Sequence, residues 1–75
     1  LTKHARNMLQ ERNISEEWVR RTLQEPEWKE TGTDGNLHYF KSIEEYGNRI
    51  LHIVVVPDTS PKRVLTAFFD RRAGR

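Results

Sequence analysis

The stretch RILHIVVVPD, Arg49 to Asp58, decides how this chain folds. Ile50, Val54 and Val56 fall on one parity and Leu51, Ile53 and Val55 on the other, so the segment reads as a strand that is apolar on both faces. A sheet covered on one side alternates apolar with polar residues. A strand apolar on both sides is therefore interior, and its second face is covered as well. One histidine, His52, interrupts the run. It is either a core residue whose ring nitrogens have found partners or the centre of a site.

Outward from this strand the pattern repeats. PDTSPK leads to RVLTAFF at 63–69, again apolar on both parities, and the turn around EYGN leads back to LHYFKSI at 37–43. The turn signal TDGN at 33–36 joins that segment to a short strand within EWKET. Four antiparallel strands in sequential order follow. Before Pro26 the period changes from 2 to 3.6. Ala5, Met8, Leu9 and Arg12 form one stripe of a first helix, which Asn13 ends. Ser15 caps a second helix, with Glu16 and Glu17 at the positive end of its dipole. Ile14 and Val19 have the spacing of a hydrophobic staple, and Val19 with Leu23 carries the buried face on. Arg12 extends an apolar stripe and needs an acidic or carbonyl partner, so it is expected to anchor the hairpin.

The expected fold is α+β, in the order ααββββ: an N-terminal helical hairpin packed on a three- to four-stranded antiparallel sheet. One domain spans 1–75, with the hairpin in 1–25, the sheet in 26–70 and a basic tail, RRAGR, in 71–75. A chain this short buries roughly 60% of the surface its unfolded form exposes. The cover for the second sheet face is thus expected from outside, from another subunit or a partner's helix.

Composition narrows the function classes. The chain has no cysteine, which removes disulfides and thiolate–zinc sites and makes the cytoplasm the expected compartment. No apolar run approaches the roughly 20 residues that cross a bilayer, and no charged-then-apolar leader is visible. The chain opens on Leu1 rather than Met, as a chain lacking its first few residues does. The formal charge of +2 is unevenly placed. Five basic against four acidic residues give +1 over 1–25, two against five give −3 over 26–48, and six against two give +4 over 49–75. Nine of the thirteen basic residues are arginine, whose planar fork suits phosphate or carboxylate.

Candidate site residues follow from an assumed register. A turn centred between Tyr46 and Gly47 sets His52 across from Lys41, and one centred between Thr59 and Ser60 sets it across from Ala67. Lys41, His52 and Ala67 then share a face with Tyr39 and Phe69, a notch where a phosphate meets a lysine and an imidazole moves a proton. The opposite face pairs Arg49 with Asp70, most simply as a structural ion pair. A one-residue slip would reverse every side chain. The alternative for His52 is a satisfied core histidine, the commoner role of a lone histidine in an apolar strand. His4 is read as solvent-facing and His38 as a residue beside a turn. The three histidines lack metal-ligand spacing, so no metal site and no cofactor is expected.

The basic end, FFDRRAGR, carries the nucleic-acid signal. Phe68 and Phe69 cannot both point inward, and an exposed aromatic beside arginine is the combination that grips RNA. Arg63, Phe69, Arg71 and Arg72 are the candidate RNA contacts, with Trp18 and Trp28 either stacking on bases or sealing the core edge. Set against this, the net charge is low and a charged tail is commonly only solvated.

The segment KHARNMLQERNISEEWVRRTLQEPE resembles the start of a domain-of-unknown-function family of small bacterial proteins. The pattern is His4, Ala5, Arg12, Ile14, Ser15, Glu16, Glu17 and Pro26, and VLTAFFD resembles that family's last strand. The layout of two helices before a small antiparallel sheet is similar to the RelE, ParE and BrnT group of bacterial toxins. That resemblance implies a toxin neutralised by an antitoxin lying across its sheet, with messenger-RNA cleavage, on or off the ribosome, as the activity of many members; some relatives bind gyrase instead. Metal-independent cleavage by RNA's own 2′-hydroxyl needs a base, a cation on the phosphate and an acid. His52 or His38 would carry the proton, with Lys41, Arg49, Arg63, Arg71 and Arg72 supplying charge. The competing class is a non-catalytic module whose sheet serves a homodimer or a protein partner.

Overall fold

The computed structural model describes residues 2–60 and 62–73. Helix α1, Lys3–Glu11, begins where the Thr2 hydroxyl accepts the Ala5 N–H. It ends at Asn13, whose φ of 57° lets the Ile14 N–H reach the Leu9 carbonyl at 2.9 Å and the Asn13 N–H reach that of Gln10. This left-handed stop satisfies carbonyls that the helix would otherwise strand. Ser15 then accepts the Glu17 N–H and opens α2, Glu16–Gln24, with its two acidic residues in the first turn. Pro26 follows the second helix, and the hairpin expected from the sequence is present.

Strands β1, Trp28–Thr31, β2, Leu37–Ile43, β3, Arg49–Val56, and β4, Arg63–Phe69, form one antiparallel sheet in sequential order. The helices cover one face. There Leu9, Ile14 and Val19 pack with Tyr39, Ile43, Leu51, Ile53, Val55, Val64 and Ala67, and Ile43, Leu51 and Ile53 have no exposed surface. Each such side chain contributes about 2 kcal/mol by leaving water. Ile14 and Val19, the staple pair, lie together in this cluster.

The register differs from the expected one by a residue. His52 stands opposite Phe40 on β2 and Phe68 on β4, not opposite Lys41 and Ala67. Two local causes account for it. Between β2 and β3 the chain takes a short 3₁₀ turn, Glu44–Tyr46, and then two left-handed residues, Gly47 at φ 68° and Asn48 at φ 59°. That moves the centre of the connection to Tyr46. Between β3 and β4 the expected pairing holds near the turn, where Val55 meets Val64 and Val56 meets Arg63. A bulge beside Val54 then adds Leu65 to β4 and advances every later pair by one.

As a consequence Lys41, Tyr39, Ala67 and Phe69 belong to the helix face and His52 to the open one. Arg49 does not meet Asp70: it pairs with Ile43 in register and lays its guanidinium 5.3 Å from the Tyr46 ring centroid. Across the open face a row of rings runs from edge to edge, Trp28, Phe40, His52 and Phe68, with successive centroids 4.6, 4.3 and 4.7 Å apart. The row explains how strands apolar on both faces are accommodated. Phe40 retains 4% of its surface and Val54 6%, with their neighbours along the sheet as cover.

Arg12 leaves the end of α1 and donates to the Ala67 carbonyl at 2.8 Å and to the Thr66 hydroxyl at 3.0 Å. It thereby occupies the outer edge of β4, where a carbonyl without a strand partner would invite another chain.

Candidate acid–base site on the open sheet face

β2 and β3 each place a histidine on the open face, one strand step apart on the diagonal. His38 Nδ1 and His52 Nε2 are 2.7 Å from one another. At the far side of each ring stands a carboxylate: His52 Nδ1 is 2.9 Å from Asp70 Oδ2, and His38 Nε2 is 3.2 Å from Asp34 Oδ1. The four groups form a continuous chain, Asp34, His38, His52, Asp70. It runs diagonally from the β1–β2 turn to the end of β4.

The carboxylates at the ends are held ionised. Burial pushes the Asp70 carboxyl up, but hydrogen bonds from His52 and from the Arg72 N–H together outweigh it and leave its pKa below the ordinary value. The Asn36 N–H, followed by His38, lowers that of Asp34. An ionised carboxylate only accepts, so each outer ring nitrogen donates. The inner nitrogens face each other at 2.7 Å. Each imidazole thus has one nitrogen against a carboxylate and one against the other ring, an arrangement along which a proton can be passed.

The surroundings are apolar above and below. Phe40 and Phe68 flank the His52 ring with centroids 4.3 and 4.7 Å away. The His52 side chain keeps 12% of its surface and that of His38 17%, so the pair is shielded but reachable from the turn side. Gly32 allows the His38 ring its position. A Cβ on Gly32 would run into His38 Nε2 and Asp34 Oδ1, and both side-chain ends would have to move.

A family model for a domain of unknown function, DUF4258, matches residues 1–69. The chain belongs to this family. The matched stretch includes Asp34, His38 and His52 and stops one residue before Asp70. No curated protein and no solved structure matches the chain.

Other candidate residues of this DUF4258 domain are dispersed. Lys41 donates to the Glu25 carbonyl at 2.8 Å and closes the end of α2. Phe69 packs on the helix face against Trp18 and Tyr46, so its neighbour Phe68 is the exposed aromatic, with 36% of its surface free. Arg63 stands at the far end of β4, where its N–H donates to Thr59 Oγ1. Arg71 and Arg72 follow Asp70 and are exposed. Next to Asp70 a shallow cleft of about 280 Å³ is lined by Asn48, Arg49, Ile50, Phe69, Asp70 and Arg71, which brings two of the expected cations to one end of the proton chain. His4, on α1, is exposed.

Sequence reasoning named His52 and His38 separately and missed their meeting, along with Asp34 and Phe68. The available signal was the similar placement of LHYF and LHIV, each with a histidine second in an apolar run, together with Asp34 four residues before His38. Among the described residues no group of three or more His, Asp, Glu or Cys side chains is arranged to hold a metal. Also among them, no helix is long and apolar enough to cross a membrane.

Proposed function

We propose that this DUF4258 domain is a toxin-like, metal-independent ribonuclease whose acid–base group is the His38–His52 pair. The observation that carries the reading is the continuous chain Asp34, His38, His52, Asp70, two imidazoles in contact between two carboxylates. Transesterification of RNA needs that device. The 2′-hydroxyl loses its proton as its oxygen forms a bond to phosphorus, and the 5′-oxygen gains a proton as its bond to phosphorus breaks, leaving a 2′,3′-cyclic phosphate. Two linked imidazoles can take the first proton and give the second, with no net change.

His38 Nε2 is the acting atom, because it faces the turn and the exposed Asp34. His52 and Asp70 orient it from behind, as a carboxylate behind an imidazole does in other acid–base sites. The cleft bearing Arg49 and Arg71 would take a neighbouring phosphate, and the half-exposed Phe68 between the two ends would stack a base. Arg72 adds charge beside them, while Arg63 lies at the distant end of β4. An antitoxin laid across the open face would cover Phe68 and the pair together.

The test is induced expression in bacteria with RNA analysis. Growth arrest and RNA with 2′,3′-cyclic ends are expected for the wild type, and neither for folded His38→Ala or His52→Ala. Arrest that survives both substitutions removes the pair from the activity. A second reading has its own support, since Phe68 and Leu65 are exposed large apolar residues on or beside the open face. On that reading the sheet binds a protein partner without catalysis, and expression leaves growth unchanged.

A further inference from the structure

The Asp34 carboxylate occupies a cradle built for an anion. Its Oδ1 accepts the Asn36 N–H at 2.9 Å and lies 3.2 Å from His38 Nε2, while its Oδ2 accepts from Asn36 Nδ2 at 3.2 Å. Three donors from two residues thus converge on one charged group. The floor is Gly32, where a Cβ would lie within 2.8 Å of Asp34 Oδ1 and of the His38 ring, so the space exists only because that residue has no side chain. Asp34 itself is half-exposed at the tip of the β1–β2 turn and reaches the cradle from solvent.

We propose that this cradle is an oxyanion site for the phosphate group of a ligand, and that Asp34 is its built-in occupant, which withdraws when a phosphate arrives. The donor set is that of a phosphoryl oxygen: one backbone N–H, one amide and one imidazole N–H. The exchange replaces one anion by another. Asp34 is a positioning residue in this scheme. It holds the His38 ring aimed until the ligand takes over that bond. Glu30, opposite His38 on β1, is the negative charge facing the site from the next strand, and it limits how tightly a free phosphate binds. The proposal deepens the ribonuclease reading and rests on it for the consequence that the captured phosphate is the one cleaved. The anion site itself rests on the cradle alone.

Titration with inorganic phosphate, followed by the ring and amide resonances of His38 and Asn36, tests it. Weak binding is expected for the wild type. Asp34→Ala should bind roughly tenfold more tightly, the worth of one charge-assisted hydrogen bond set freed from its internal competitor. Adding Gly32→Ala to Asp34→Ala should abolish binding by filling the cradle. Asp34→Asn, which retains the oxygen that accepts the Asn36 N–H, serves if the alanine variant is unfolded, and it too should bind more tightly than the wild type. A 2′-deoxy dinucleoside monophosphate, which cannot be cleaved through a 2′-hydroxyl, separates a diester site from one for free phosphate. Stronger shifts with it point to a nucleic-acid backbone as the source, and equal or weaker shifts to free phosphate. No gain on removing Asp34, or shifts confined to Arg71, Arg72 and His4, would overturn the proposal. Phosphate capture without RNA cleavage would instead leave the site standing and remove the ribonuclease activity.

Discussion

His38 Nδ1 and His52 Nε2 lie 2.7 Å apart although their residues are diagonal neighbours on β2 and β3, His38 standing opposite Val54 and His52 opposite Phe40. The two rings lean toward each other between carboxylates at either end, and separating the roles of packing and hydrogen bonding requires a substitution that keeps one and removes the other. His52→Phe does so. The aromatic row from Trp28 to Phe68 persists, while Asp70 and His38 each lose their ring partner. Thermal unfolding should show a loss of about 1–3 kcal/mol, the cost of stranding a partly buried polar group, and RNA cleavage should vanish.

Acid should weaken the fold from the Asp70 end. Its carboxyl pKa is depressed in the folded state, so its contribution to stability is complete above the unfolded value of about 4 and is lost as pH falls through the lower folded value. Asp34 adds to this with the same sign. Urea midpoints measured between neutral pH and pH 3 should fall, and the fall should be shallower for Asp70→Asn. A wild-type midpoint independent of pH would contradict the ionised ends of the chain.

Arg12→Lys keeps the charge but replaces the guanidinium whose Nη1 donates to both the Ala67 carbonyl and the Thr66 hydroxyl with a shorter side chain. A destabilisation of about 1–2 kcal/mol is expected from the missing bonds, with hydrogen exchange accelerated in β4 and α1 rather than in β2. Uniform acceleration would show that the residue is not a local tie.

Arg71→Ala combined with Arg72→Ala should leave the circular dichroism spectrum and the melting temperature unchanged, since both side chains are exposed and the Arg72 bond to Asp70 uses its backbone N–H. On the proposed ribonuclease reading, toxicity in cells should disappear. Full toxicity in this variant would remove the tail from the mechanism.

Core truncation provides the scale for these effects. Ile53→Ala removes a side chain with no exposed surface at the centre of the sheet, and a loss of about 2–5 kcal/mol is expected, enough to unfold much of so small a domain. Chemical denaturation gives the value.

The elements were legible because their signals are local. Ser15, Asn13 and Pro26 bound the helices, and β2, β3 and β4 begin and end where the apolar runs do. Register was not legible, since it depends on backbone conformations that neighbouring side chains do not announce. Asn48 in a left-handed conformation and the extra Leu65 in β4 each move the pairing by one residue. The site was half visible for the same reason. His52 and His38 could be named one by one, but their meeting depends on the β2–β3 register and Asp70 joins them only after the bulge. Lys41 went to a helix end, and Phe69 exchanged places with Phe68.

The bonds from Arg12 to Thr66 and Ala67 join positions 54 and 55 residues apart, nearly the two ends of the chain. The order of assembly follows. Within this domain α1 is made before β4, the strand it leans on, so its docking is completed only after the strands between them have been synthesised. Closure of the longest loop then comes at the end, and a chain stopped before β4 would present Leu9 and the apolar side of α1 to whatever is nearby. In this small domain the final strand serves as the latch on the first helix.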